Sequence, residues 1–326
     1  MNISLPILVL LAACITSSGA CAAALVWSVS GKASVQRGTT TTSIPLTVGA
    51  QLNDGDIVRL DPGANAEIDC GAPPRLKLTE AVQVFACNTA RSLFSWNGKD
   101  LPNPRAPARV LLPAGTLVLN PRPSIRWTTA QIGQHVRVIV RGRGFNWDRV
   151  VGNTGRLIYP ADAPALVRGQ VYRVLVLEPD ADPETASGSL NSGFKVLSEE
   201  QAQEATRFFQ ELDSRQGLSL VELAQLKVRA RLLAGLNAEA IEIAERASQD
   251  ASLSSAMDPL LGAAWLRTGC TSCALPILER AVGAAEAGGD AGAFKESGRL
   301  LADAYRQVSR SSDAERLEKR LGAHSQ

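Results

Sequence analysis

Apolar and polar positions alternate in three successive styles along the chain. From Val26 to Cys70 the period is two: Val26, Val29, Ala33 and Val35 stand among polar neighbours. Gly38 and the Thr run after it end this first extended stretch. Asn53-Asp54-Gly55 and Asp61-Pro62-Gly63 supply turn chemistry around Ile57–Leu60, and Ala64–Cys70 continues as a strand. The pattern predicts an all-β unit over residues 25–103.

Asn103–Pro107 reads as a linker, and residues 104–197 as a second β unit. Its apolar segments are Thr116–Leu119, Ser124–Trp127, His135–Arg141, Phe145–Val151, Arg156–Tyr159, Val171–Leu177 and Gly193–Leu197. That many short strands in one unit predict an immunoglobulin-like or fibronectin-like β-sandwich, with Trp127 and Trp147 in its core.

From Ser198 the period becomes helical and only Pro259 and Pro276 remain of the prolines. Ser198-x-x-Gln201, Ser219-x-x-Glu222 and Ser312-x-x-Glu315 have capping-box spacing. Asp258-Pro259 reads as a further helix start. Leu226, Arg231, Gly235, Ala240, Glu245 and Arg246 recur 34 residues later as Leu260, Trp265, Gly269, Ala274, Glu279 and Arg280. A third copy, Leu300, Tyr305, Ser309, Ala314, Lys319 and Arg320, follows after 40 residues. The six extra residues are expected in a loop within the Gly/Ala stretch 283–292. The expected fold class is therefore segregated: two β modules, then an α-helical repeat over 198–326.

Ahead of these modules, Ile3–Ala13 is an apolar run of eleven positions, too short for a span of about 20 residues. It fits a secretory signal over residues 1–24. Leu11-Ala12-Ala13-Cys14 resembles a bacterial lipobox, which would place a lipid on Cys14. Ala20-Cys21-Ala22 offers cleavage after Ala22 instead, leaving four cysteines that can all pair. An exported location, periplasmic or envelope-associated, makes a Cys70–Cys87 disulfide the natural pairing, with two buried free thiols as the alternative, and makes Cys270–Cys273 a second, local disulfide or a pair of thiols stiffening a turn.

Net charge is +2 over 326 residues, which excludes a globally basic nucleic-acid binder. The charge is uneven. Residues 105–173 hold eleven arginines, no lysine and two acids, Asp148 and Asp162. Arg122, Arg126, Arg137, Arg141 and Arg143 lie in or beside strands and form a candidate face for an anionic glycan or lipid head group. The alternative is a solvated face, or docking against the acidic C-terminal segment.

Candidate chemistry is sparse. His135 and His324 are the two histidines, and neither sits in a nucleophile motif. No phosphate loop, dinucleotide fingerprint or calcium loop appears, so no cofactor is expected. Cys270-Thr-Ser-Cys273 lacks the strand–helix context of a redox motif and has no further zinc ligands at suitable spacing. Asp54 and Asp56 are explained by turn formation.

Three resemblances add to this reading. Gly31, Ala33, Val35 and Arg37, then Gly49, Leu52, Gly55, Asp56 and Ile57, then Ala64, Ala66 and Ile68, resemble a FecR-type domain over about sixty residues. Pro123–Trp127 and Leu166-x-x-Gly169-x-x-Tyr172-x-Val174 resemble fibronectin type III-like modules of exported bacterial proteins. The 34-residue recurrence resembles the tetratricopeptide repeat, with Gly235 and Gly269 at turns and Ala240, Ala274 and Ala314 at close helix contacts. Together they imply a non-enzymatic binding or scaffold protein of the bacterial envelope, with a protein partner on the helical repeat. The alternatives are a FecR-like component of envelope signalling, and a hydrolase with no recognisable motif.

Overall fold

The computed structural model describes residues 24–37, 43–53, 56–69, 76–79, 81–85, 108–128, 133–183 and 193–323. The leader with Cys14 and Cys21, the Cys70–Cys87 pairing, Asp54 and His324 fall outside those residues. Among the described residues, β-strands come first along the chain and seven helices follow. Among the described residues no helix is long and apolar enough to cross a membrane.

The first module is two four-stranded antiparallel sheets. One has the order β4 (Gln51–Leu52), β1 (Ala24–Ser30), β6 (Asn65–Asp69), β7 (Leu76–Leu78). The other has β3 (Ser43–Pro45), β2 (Ala33–Gln36), β5 (Ile57–Leu60), β8 (Val82–Val84). The first extended stretch ends earlier than the Gly38 break implied. Gly31, at φ +82°, turns the chain from one sheet to the other, and a Cβ there would lie 2.8 Å from that of Ala64. Asp56 explains the following turn: its buried carboxylate accepts from Asn53 N at 2.9 Å and pairs with Arg37 at 2.8 Å. Strand β1 is buried on both faces, Ala24 and Val26 toward this module's core and Leu25 and Trp27 away from it.

The second module is a sandwich of two sheets. The larger has the order β10 (Thr116–Val118), β16 (Gly193–Val196), β15 (Val171–Leu177), β12 (His135–Gly142), β13 (Phe145–Gly152). The smaller has β14 (Arg156–Ile158), β11 (Ser124–Trp127), β9 (Val110–Leu112). All seven expected segments are strands here, and β9 is an addition beside the Pro-rich linker. Val136, Val138 and Val140 of the larger sheet, with Trp147 and Tyr172 beside them, face Ile125 and Trp127 of the smaller one. The Tyr172 hydroxyl accepts from Val167 N at 2.7 Å, tying the entry of β15 to the loop before it.

Helices α2 (Leu220–Leu233) and α3 (Asn237–Ala247), α4 (Ala251–Arg267) and α5 (Thr271–Ala287), α6 (Ala291–Gln307) and α7 (Ser311–Ala323) form three successive pairs, preceded by α1 (Glu199–Asp213). Both capping boxes at Ser198 and Ser219 are formed. Each pair turns on the same left-handed residue: Gly235 at φ 71°, Gly269 at 76° and Ser309 at 61°. The same bond closes each turn, from Leu236 N to Arg231 O, Cys270 N to Trp265 O, and Arg310 N to Tyr305 O.

Three local expectations are corrected. Helix α4 starts at Ala251 with Asp250 as its cap, so Pro259 lies inside the helix. Asp258 is instead a buried partner of Arg280, which donates to both of its oxygens at 2.7 Å. Helix α7 starts at Ser311, because the left-handed Ser309 sets the turn, and Ser312 lies within the helix. The six extra residues do not form a loop: α5 has 17 residues where α3 has 11. Alanine and glutamate in this stretch favour helix strongly enough to carry Gly283.

The modules join through one shared core. Leu25 and Trp27 of β1, Leu117 of β10, Leu197, and Phe209, Leu212, Leu226 and Ala230 of α1 and α2 pack together. Arg215 lies over the Trp27 ring at 4.4 Å and donates to its carbonyl. At the other seam Leu112 enters the core of the helical pairs.

Candidate functional site

Strand alternation decides where the candidate arginines go, and it does not gather them on one face. Ile125 and Trp127 point into the sandwich, so Arg126 projects from the outside of the smaller sheet. Val136, Val138 and Val140 point inward from the larger sheet, so Arg137 and Arg141 project from the opposite outside. The five-residue face therefore divides between two sides of the module. Arg137 is engaged by Asp148 at 2.9 Å, and Arg122 donates to the Pro160 carbonyl. Arg143 lies in the turn between β12 and β13.

Arg126 meets the helical array. Its Nη1 lies 2.9 and 2.8 Å from the two carboxylate oxygens of Glu245 in α3, and its guanidinium sits 5.3 Å from the Trp265 ring. Arg109 donates to the Gly269 carbonyl at 2.6 Å, and Arg156 approaches Glu242 at 3.6 Å. Charge complementarity between the two modules thus uses part of the arginine excess.

The seam also carries a shared helix cap. No side chain of its own segment caps α3. Thr116 of β10 supplies the hydroxyl, accepting from Asn237 N at 2.9 Å and donating to Gly235 O at 3.0 Å. Glu239, in the first turn of α3, accepts from Leu119 N at 2.8 Å through Oε1, while Oε2 is buried without a partner. Burial pushes this carboxyl up to about 7, against the lowering effect of the Leu119 hydrogen bond. Sequence reading did not find Thr116 or Glu239, because neither belongs to a local motif with its partner.

The array also carries a groove, bordered at α2 by the first β module through Arg229 and Gly49. Residues of α2, α4, α5 and α6 line a groove of about 280 Å³. Leu260, Pro259, Ala281 and Ala285 give it an apolar, short-side-chain lining. Arg229, Asp290 and Glu296 give it charge, and Ser297 lines it from α6 with its hydroxyl fully buried and unpartnered. Cys270, the N-cap residue of α5, and Cys273 in that helix's first turn have their sulfurs bonded at 1.99 Å. Among the described residues no group of three His, Cys, Asp or Glu side chains is placed to hold a metal ion.

Comparison with protein-family models, curated proteins and solved structures gives no match.

Proposed function

We propose that this chain is an exported, non-enzymatic scaffold of the bacterial envelope that holds a protein partner in the groove of its helical array. The observation that carries this reading is the division of the array's surface. One side is consumed by the sandwich and the first β module, through Thr116, Glu239, Arg126 and the Trp27 cluster. The groove of α2, α4, α5 and α6 lies outside these contacts and meets the first β module at Arg229, which donates to Gly49 O. A rigidly mounted concave surface is what a repeat array uses to take a partner.

The module resemblances are supported by particular contacts. Helix pairs spaced by 34 and 40 residues, closed by the same turn bond, agree with a tetratricopeptide-like array. The Tyr172 hydroxyl bonded back to Val167 agrees with an immunoglobulin- or fibronectin-like sandwich. Arg37 and Asp56, both in the FecR-like pattern, pair at 2.8 Å. Export rests on the apolar leader and on a disulfide at Cys270–Cys273.

Crosslinking mass spectrometry of the full chain in its native envelope tests the proposal. Lys227 of α2, which pairs with Asp213 of α1, and Lys295 of α6 are the lysines on the four helices that line the groove. Crosslinks from these two lysines to one recurrent protein are expected. Crosslinks confined to the β modules, or none to another protein, would overturn it.

A further inference from the structure

Within the groove, two buried polar atoms from helices far apart in sequence lack a hydrogen-bond partner in the protein: Arg229 Nε and Ser297 Oγ. The Arg229 guanidinium is held at its other end. Nη1 donates to Gly49 O of the first β module at 3.2 Å, and Nη2 to Glu296 Oε1 at 3.5 Å. Nε–H can only donate, so what it lacks is an acceptor. The Ser297 hydroxyl can donate to an acceptor as well. Leaving such groups unpaired is costly, which favours a ligand that satisfies them.

The surroundings narrow the chemistry further. Alanines at 281, 284, 285 and 293 let a main chain come close without side-chain obstruction. Asp290 and Glu296 outnumber the one cation, Arg229, which Glu296 already approaches. Pro259 has no N–H for the carbonyl of Ser255, which also lines the groove. The lining therefore combines two buried donors that lack acceptors with two exposed carboxylates, of which Asp290 also caps α6.

Resting on the scaffold reading, we infer that the groove binds an extended peptide segment with a basic side chain. One main-chain carbonyl accepts from Arg229 Nε and Ser297 Oγ, and the basic side chain faces Asp290 and Glu296. Because Arg229 also holds Gly49, this site includes the contact that fixes the first β module to the array.

The test selects random twelve-residue peptides on phage against the immobilised full chain, then measures the best synthetic peptide by fluorescence anisotropy. Enriched peptides should carry Lys or Arg. Ser297→Ala and Arg229→Lys should each weaken binding about tenfold, with melting temperature checked for both. Asp290→Asn with Glu296→Gln should weaken it about fivefold at low salt and less at high salt. No enrichment, enrichment of acidic peptides, or unchanged affinity in both Ser297→Ala and Arg229→Lys would overturn the inference. Envelope crosslinks at Lys227 and Lys295 without a selected peptide would leave the scaffold standing and this site refuted. A selective peptide without those crosslinks would establish the site and refute the envelope scaffold.

Discussion

Thr116 Oγ1 accepts the Asn237 N–H at 2.9 Å, so a strand of the sandwich caps a helix of the array across 121 residues of sequence. An N-cap hydroxyl contributes about 1 kcal/mol, and this one is buried, where an orphaned N–H costs more. Thr116→Val keeps the shape and removes the cap. Chemical denaturation should show a loss of about 1–2 kcal/mol, with Thr116→Ser close to wild type. Equal stability of all three would detach the cap from the seam.

Glu239 makes the same seam sensitive to pH. Its folded-state value of about 7 lies above its ordinary 4.5, so the carboxyl binds its proton more tightly when folded. The resulting stability is fully present below 4.5 and lost as pH rises through 7. The span corresponds to roughly 3 kcal/mol. Glu242 adds to the upward shift and Arg231 opposes it. Wild type should therefore lose stability between pH 4.5 and 8.5 relative to Glu239→Gln, measured by urea melts of both proteins. Parallel pH profiles would contradict the assignment.

Two helical glycines make opposite forecasts. A Cβ at Gly262 would lie 2.4 Å from Leu278 Cδ2, where α4 crosses α5, while one at Gly283 would meet nothing within 4 Å. Gly262→Ala should cost about 1–3 kcal/mol by overpacking, despite better helix propensity. Gly283→Ala should add roughly 0.5–1 kcal/mol. Thermal unfolding of the two variants reads both signs in one experiment.

The Cys270–Cys273 bond spans three positions and closes a small loop at the start of α5. Such a loop contributes about 2 kcal/mol in the chain-entropy account. Reduction should lower the midpoint of denaturation by a corresponding amount without abolishing folding, since Ala274 and Leu278 still hold α5 in its core. Alkylation with and without reductant, followed by denaturant titration, checks this.

The strands of the sandwich were legible from their inward alternation, as at Val136, Val138 and Val140, whereas Ile139, Leu175 and Leu177 bury a second cluster on the outer face of β12 and β15. The capping boxes at Ser198 and Ser219 were legible because donor and acceptor lie three residues apart. Asp258-Pro259 misled for the same reason: its local chemistry is that of a cap, but Arg280, 22 residues later, takes the carboxylate. The long α5 was hidden because glycine near its end signals a loop while alanine and glutamate around it favour helix. The arginine excess was legible, but not its division between two sheet faces. Neither the seam nor the groove carries a sequence signature, since Thr116 meets Asn237, and Arg229 shares a wall with Ser297, only once the modules have folded.

The central claim is that the groove, and not the outer surface of the array, receives the partner. A photo-crosslinking residue placed at Ala284, which lines the groove, and separately at exposed Lys319 on α7 tests it in permeabilised cells. The account predicts one discrete adduct from position 284, lost when the selected basic peptide is added to permeabilised cells, and none from position 319. Equal adducts from both positions, or an adduct from 319 alone, would contradict it.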